Sequence, residues 1–307
     1  MLTVMLAVCN GADTLPVVLE AYLELRLPSG GWKLVIVDNG STDDTALVLD
    51  RFQTLLPMTR LFVPQRGKNV ALNAALDLRQ GDLVVFTDDD AIPAPDWLHE
   101  LRTTADLRKE FDIFGGVIRP RWSRPPDPWI LDWVPKGITY AITDPLLEDG
   151  PIAATSVWGP NMAVRSRIFD AGHRFAADVG PRQGFSYPMG SETEFNLRME
   201  RGGYRAWFTA SAVVEHIITD DQMERRWVLS RAVRYGRGIF QRERLKEMPL
   251  PRMLAGLPRH QIPRLLRHFG RLVLARIMGD AEAVFLASWR LRRDWGYSRE
   301  ARLAGRR

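Results

Sequence analysis

An α/β fold with a mostly parallel central sheet flanked by helices, followed by a helical C-terminal extension, is what this sequence predicts. Three observations carry that expectation. Over the first hundred residues, short apolar runs of strand character alternate with helical patterns. The fourth run, LVVF at 83–86, leads through Thr87 into three consecutive carboxylates, Asp88, Asp89 and Asp90. Beyond His216 the chain becomes basic and helical in pattern.

The elements follow in order. Residues 3–8 form an apolar run suited to a strand, and 16–25 a helix with Pro16 in its first turn. Residues 34–37 are a second strand. Ser41, with Asp44 three residues on, has the shape of a capping signal for a helix over 45–52. Residues 61–63 are expected as a third strand, 70–78 as a helix and 83–86 as a fourth strand. Pro95, just before Asp96, Trp97 and Leu98, marks the first turn of the next helix. Open sheets of this kind bind ligands at the carboxyl ends of their strands, where the three carboxylates fall. A glycine-rich G-x-G-x-x-G turn is missing, which disfavours a dinucleotide fold. Residues 119–150, rich in Pro and Trp, read as a long ordered loop. A helix opens at Ser191 and stops at Gly202 and Gly203. Farther on, Ile262, Leu265, Leu266, Phe269 and Val273 make an apolar stripe, with Arg264, Arg267 and Arg271 off it.

At 307 residues and 46% hydrophobic, the chain has ample core for one large domain with an appendage. We expect a catalytic domain over 1–215 and a basic helical region over 216–307. The lone Cys9 excludes an internal disulfide framework and a cysteine zinc site, which suits a reducing compartment. No run approaches the ~20 apolar residues of a spanning helix, and the first ten residues read as a strand rather than a leader. A cytoplasmic location is therefore expected. The net charge of +5 hides an asymmetry. After Glu215 there are 21 Lys+Arg against 9 Asp+Glu, net +12, which leaves net −7 before it. The acidic front suits a metal; the arginine-rich tail suits phosphate groups or an anionic membrane surface.

Three adjacent carboxylates repel one another unless a cation sits among them, and a divalent metal is the simplest one. The alternative is a solvated acidic turn. Asp38, just past the second strand, is positioned to accept hydrogen bonds from a nucleobase or ribose, or to stabilise the Asn39-Gly40 turn. Arg66 and Lys68 are loop cations that either approach a diphosphate or stand in solvent.

Five motifs in one order, VDNGSTDDT (37–45), RGKNVALNAAL (66–76), FTDDDAIPAPDWL (86–98), GPNMAVRSRIF (159–169) and GSETEFNLRMERGGYRAWF (190–208), resemble those of family 2 glycosyltransferases with a GT-A fold. The resemblance covers roughly the first 215 residues. It implies a nucleobase-side role for Asp38, a diphosphate or base role for Arg66 and Lys68, and a DxD pair at Asp88 and Asp90 with Asp89 between them. A magnesium or manganese ion held by Asp90 and Asp88 would bridge two phosphates, and His216 would complete the metal or diphosphate site. The base that takes the acceptor proton falls on Glu192. The family usually has Asp there, preceded by another acid, where this chain has Ser191. Glu194 is the competitor, with a capping box to Ser191 as its structural role. Gln222, Arg225, Arg226 and Trp227 are similar to the Q-x-x-R-W signature of processive synthases, with one residue too many in the spacing.

The expected activity is that of an inverting, metal-dependent hexosyltransferase moving a single sugar from a nucleoside diphosphate donor, UDP-linked, to a hydroxyl of a saccharide or lipid-linked saccharide. Its expected setting is synthesis of a bacterial surface polysaccharide or glycolipid, peripheral at the cytoplasmic membrane face and with no nucleic acid partner. A sugar nucleotidyltransferase is the same-fold rival; its glycine-rich phosphate loop is missing around residues 9–15. A non-catalytic sugar-nucleotide or membrane-binding protein with a decayed site is the rival from another class, and the Ser191-Glu192 departure keeps it open.

Overall fold

The computed structural model describes residues 1–182, 187–246 and 248–305. The chain divides into two compact units. One comprises Met1–Arg121, Tyr140–Gln183 and Ser191–Ile217; the other comprises Trp122–Thr139, Gly184–Gly190 and Ile218–Arg307.

The first unit is organised by a sheet of nine strands among the described residues: β1 (Leu2–Val8), β2 (Trp32–Asp38), β3 (Met58–Phe62), β4 (Leu83–Phe86), β5 (Ala91–Pro93), β6 (Ile113–Trp122), β7 (Gly150–Ile152), β8 (Met162–Arg165) and β9 (Ala206–Ile218). Their order is β3-β2-β1-β4-β8-β6-β9-β5, with β7 also on β9. The first four are mutually parallel. β8 then runs antiparallel to β4 and to β6, and β5 and β7 antiparallel to β9, so the sheet is mixed beyond its parallel start.

Parallel strands covered on both faces read as continuous apolar runs, and alternate residues feed opposite layers. Leu2, Val4, Leu6, Leu34, Ile36 and Val85 pack toward α1 (Leu15–Leu23), α2 (Thr45–Phe52) and, past α3 (Lys68–Ala75) in the chain, α4 (Trp97–Leu107). Met5, Val35, Val37, Val84 and Phe86 pack the other way, against Ala71, Leu72 and Ala75 of α3 and against Phe195 and Met199 of α5 (Ser191–Arg201).

Three local expectations change. The third strand spans Met58–Phe62 rather than 61–63, because it is the sheet's edge, where half-buried Thr59 and Arg60 pair with Val35 and Ile36 without needing an apolar run. Ser41 does not cap α2: its hydroxyl accepts from the Asn10 N–H at 3.0 Å, while Asp43 accepts from the Thr45 N–H at 3.1 Å. The stretch 119–150 is not one loop, since it includes short helices at Pro128–Trp133 and Lys136–Tyr140.

A buried amide holds the rear of this unit together. Asn161 Oδ1 accepts from the Trp97 indole N–H at 2.9 Å, and its Nδ2 donates to the carbonyls of Val117 at 3.0 Å and Ala212 at 2.9 Å. Truncation would leave the buried Trp97 N–H and Ala212 carbonyl without this partner, each costing about 1–3 kcal/mol, and the part-buried Val117 carbonyl as well. Asn161→Ala is therefore expected to destabilise the chain by about 3 kcal/mol or more, read as a lower midpoint in a urea titration.

The second unit is built on α6 (Arg225–Leu245), α7 (Ile262–Met278) and α8 (Ala281–Ala304). Helices α6 and α8 approach through glycines: a Cβ on Gly236 would lie 1.8 Å from the Arg293 carbonyl oxygen, and one on Gly296 2.1 Å from that of Val233. The buried Arg237–Glu300 pair, 2.6 Å apart, and a 2.7 Å bond from Gln241 to Glu300 fasten the same contact. Among the described residues, no helix is long and apolar enough to cross a membrane.

Candidate active site

The parallel strands β1, β2 and β4 end at one edge, and the sequence just beyond each end lines it. The register aligns Val8 with Asp38 and Met5 with Phe86, so the turns after residues 8, 38 and 86 leave the sheet at the same edge. Close approach is enforced at Gly11, where a Cβ would meet Asp89 Oδ2 at 2.8 Å and Val8 Cγ2 at 2.4 Å.

The carboxylates are paired with cations drawn from distant sequence. Lys68, at the start of α3, bonds Asp88 through its ammonium. That ammonium also feels the charges of Glu192 and Asp90, and the carboxylates together hold its pKa above the ordinary lysine value despite burial. Strand β5 runs along β9 with Ala91 opposite His216, and the Ile217 N–H donates to the Asp90 carbonyl at 2.8 Å. This register sets His216 Nε2 3.2 Å from Asp90 Oδ2 and Nδ1 2.7 Å from the Tyr140 carbonyl. Burial works against a charged imidazole here, but Asp90 outweighs it and raises the His216 pKa to about 9. For Asp90, burial would favour the neutral acid, yet His216 holds the carboxyl below its usual range. Asp89 has no ion pair among the described residues; burial, then its neighbours Asp90 and Asp88, push its pKa up, against a smaller opposing pull from Lys68.

The remaining candidates border this centre. Asp38 is buried, its Oδ1 accepting from the Ser41 N–H at 2.9 Å and its Oδ2 lying 3.5 Å from Arg60, so it does shape the turn at Asn39-Gly40. The Arg66 guanidinium donates to the Gly40 carbonyl at 2.8 Å, and Arg66, Asp38 and Asp89 all act on the Cys9 thiol. Glu192 sits in the first turn of α5, where the helix end favours negative charge. Its carboxyl faces Gly159, about 3.7 Å from where a Cβ there would stand, and accepts from Ser191 Oγ at 3.1 Å. Glu194 makes no capping box. It is buried and clamped one turn on by Arg198, at 2.6 and 3.1 Å, because an i,i+4 guanidinium offers it two bonds where Ser191 offers one.

Two asparagines that sequence reasoning missed position this set. Asn39 donates to the carbonyls of Val63 at 2.9 Å and Gln65 at 2.8 Å and accepts from the Gly67 N–H at 2.7 Å, fixing the loop that delivers Arg66 and Lys68. Asn69 donates to the carbonyls of Ala176 and Val179. Asn73 exchanges two bonds with the backbone of Phe175.

Whether the residues suit a divalent ion turns on Asp90. Among the described residues its Oδ1 is a buried acceptor with no hydrogen-bond partner, and a carboxylate oxygen is the donor type that magnesium and manganese take. Among the described residues, no three His, Cys, Asp or Glu side chains form a ready-made cage. Magnesium is commonly held by one or two carboxylates plus substrate phosphates, so the donor set fits that mode. His216 stands between two oxygens, its Nε2 beside Asp90 Oδ2 and its Nδ1 beside the Tyr140 carbonyl, contacts that steady Asp90.

Comparison with known proteins agrees with this geometry. The family described as "Glycosyl transferase family 2" matches residues 3–169. Glycosyltransferase AglE of Haloferax volcanii is 25% identical over 227 residues, covering 67% of this chain and 73% of that one. Among solved structures, the mannosyltransferase PcManGT from Pyrobaculum calidifontis, in complex with GDP-Man and Mn2+, superposes with a TM-score of 0.61 at 21% identity, over 99% of this chain and 85% of the other. S. aureus TarS residues 1–349 in complex with UDP-GlcNAc superposes with a TM-score of 0.54 at 13% identity, over 99% and 91%. The fold is the GT-A fold of these enzymes.

Proposed function

The chain belongs to glycosyl transferase family 2, and from that premise we propose an inverting transfer of one sugar from a UDP-sugar to a hydroxyl of a saccharide or lipid-linked saccharide, in surface polysaccharide or glycolipid synthesis. The observation that carries this reading is the Lys68 ammonium within the field of Asp88, Asp90 and Glu192, at the carboxyl ends of parallel strands. That arrangement pairs a centre for phosphate charge with a carboxylate on a separate helix.

In the proposed reaction, the acceptor oxygen bonds the anomeric carbon as the bond from that carbon to the diphosphate breaks. The hydroxyl proton passes to the Glu192 carboxylate, on the face opposite the leaving group. Asp90 and Asp88 are the residues that would hold a magnesium or manganese ion, whose chemistry there is Lewis-acid relief of charge on the departing diphosphate. Lys68 supplies a second positive charge, His216 keeps Asp90 ionised and oriented, and Asp38 and Arg66 face the nucleoside.

A GDP-linked donor is the second reading, favoured by the GDP-Man held by PcManGT. Donor hydrolysis measured across UDP-glucose, UDP-N-acetylglucosamine, UDP-glucuronate and GDP-mannose separates the two. Turnover of a UDP-sugar is expected. Turnover of GDP-mannose alone moves the assignment to the second reading, and neither binding nor hydrolysis of any donor overturns the transferase mechanism.

A further inference from the structure

Helix α7 carries two apolar faces, and the second unit uses only one of them. His268, Leu272 and Ala275 are buried and set the packing face, where His268 lies 3.4 Å from Asp294 of α8. Turned to the other side at i, i+3, i+4 and i+7 spacing, Leu266, Phe269, Val273, Leu274 and Ile277 are exposed, Leu266 by 66% and Ile277 by 77%. Water gains nothing from such a face, and soluble surfaces seldom leave large apolar side chains in a row. The flanks between the two faces are arginine: Arg264, Arg267 and Arg271 on one shoulder and Arg276 on the other, all exposed. Among the described residues none of the four has an ion-pair partner, and the helix contains no Asp or Glu.

We propose that this outer face of α7 docks on an anionic lipid bilayer, lying in the interface plane with the Leu266–Ile277 stripe in the acyl boundary and the four arginines at the headgroup phosphates. Charge selects the occupant. A second copy of the chain meeting this stripe would bring arginine against arginine, whereas an anionic leaflet meets apolar stripe and cationic shoulders together. At 17 residues with four charges, the helix lies on a membrane rather than spanning one. The net +12 after Glu215 adds attraction of the same sign.

The test is co-sedimentation of the full chain with vesicles of phosphatidylcholine, alone or mixed with phosphatidylglycerol, without nucleotide, so its outcome is independent of the proposed reaction. Binding to the mixed vesicles only, weakening as salt rises, is expected. Replacing Arg264, Arg267 and Arg271 with Gln should weaken it on the order of a hundredfold. Replacing Leu266, Phe269 and Ile277 with Gln should do so by at least about tenfold, with unchanged thermal melting in both variants because all six side chains are exposed. Absence of binding at low salt overturns the proposal. So does binding that the arginine variant loses and the apolar variant keeps, which marks a site for a soluble polyanion such as nucleic acid. Self-association in ultracentrifugation that the apolar variant abolishes, without vesicle binding, assigns the face to a second copy.

Discussion

Asp90→Ala is expected to erase the gain in UDP affinity that manganese or magnesium confers and to lower sugar transfer by about three orders of magnitude. Both oxygens of Asp90 contribute to this expectation. Oδ2 is engaged by His216, whereas Oδ1 is buried with no partner among the described residues, which leaves one acceptor prepared for a ligand from outside the protein. Asp88 is an unequal substitute because Lys68 already neutralises it. Alanine also strips His216 of its carboxylate partner, leaving only the Tyr140 carbonyl, so loss of fold has to be separated from loss of binding. Asp90→Asn does this, since its amide oxygen still accepts from His216 while the charge is gone. Titration calorimetry of UDP with the metal and with EDTA is the measurement. The Asn variant should match the native chain in EDTA and gain nothing from metal. A metal-dependent gain retained by the Asn and Ala variants alike would remove Asp90 from the binding of any ion.

Much of this site was legible before the structure, and the parts that were not share a physical reason. Buried parallel strands announce themselves as apolar runs, so the strand at 83–86 matches its element to the residue, and the helix expected at 45–52 matches α2. The clustered carboxylates were legible because repulsion among them demands a cation. What stayed hidden is who answers the demand. Lys68 reads as one more exposed loop cation until the bonds of Asn39 fold its loop toward Asp88. His216 meets Asp90 only through the register of β5 on β9, a pairing across 126 positions that no local periodicity encodes. Asparagines 39 and 161 look like turn formers in sequence, because a side chain amide that clips remote backbone and one that turns its own are identical there. Of the exposed face of α7, Leu266, Phe269 and Val273 were visible in the expected stripe, while Leu274 and Ile277 were not. Periodicity identifies an apolar helix, though, and only packing reveals that residues 268, 272 and 275 face inward while 266, 269, 273 and 277 do not.

Glu192→Gln is expected to lower turnover by about two to four orders of magnitude with donor affinity and melting temperature nearly unchanged. Removing a general base leaves the acceptor hydroxyl bound but unable to shed its proton as the new bond forms, so the loss falls on kcat rather than on donor binding. The choice of Glu192 over Glu194 rests on what each carboxylate already does. Glu194 is buried with both oxygens bonded to Arg198, and an acceptor hydroxyl would have to displace that guanidinium to reach it. Glu192 is half-buried, faces Gly159 and lies in reach of the Lys68 charge. Gly159 opens the short turn whose Pro160 carbonyl accepts from the Thr87 hydroxyl, one residue before the carboxylate cluster. The turn therefore ties the position of Glu192 to that of Asp88. Ser191 adds a hydroxyl bond to Glu192 where the family usually has an acid. Glu194→Gln should instead cost stability, about 1–2 kcal/mol from the weakened bonds to Arg198, with kcat within a few fold of native. Initial rates at saturating donor, together with urea midpoints for both variants, decide the matter. Collapse of kcat in the Glu194 variant with near-native kcat in the Glu192 variant would reverse the assignment. Loss of both activity and stability in the Glu192 variant alone would make that residue a structural element of the helix start rather than the base.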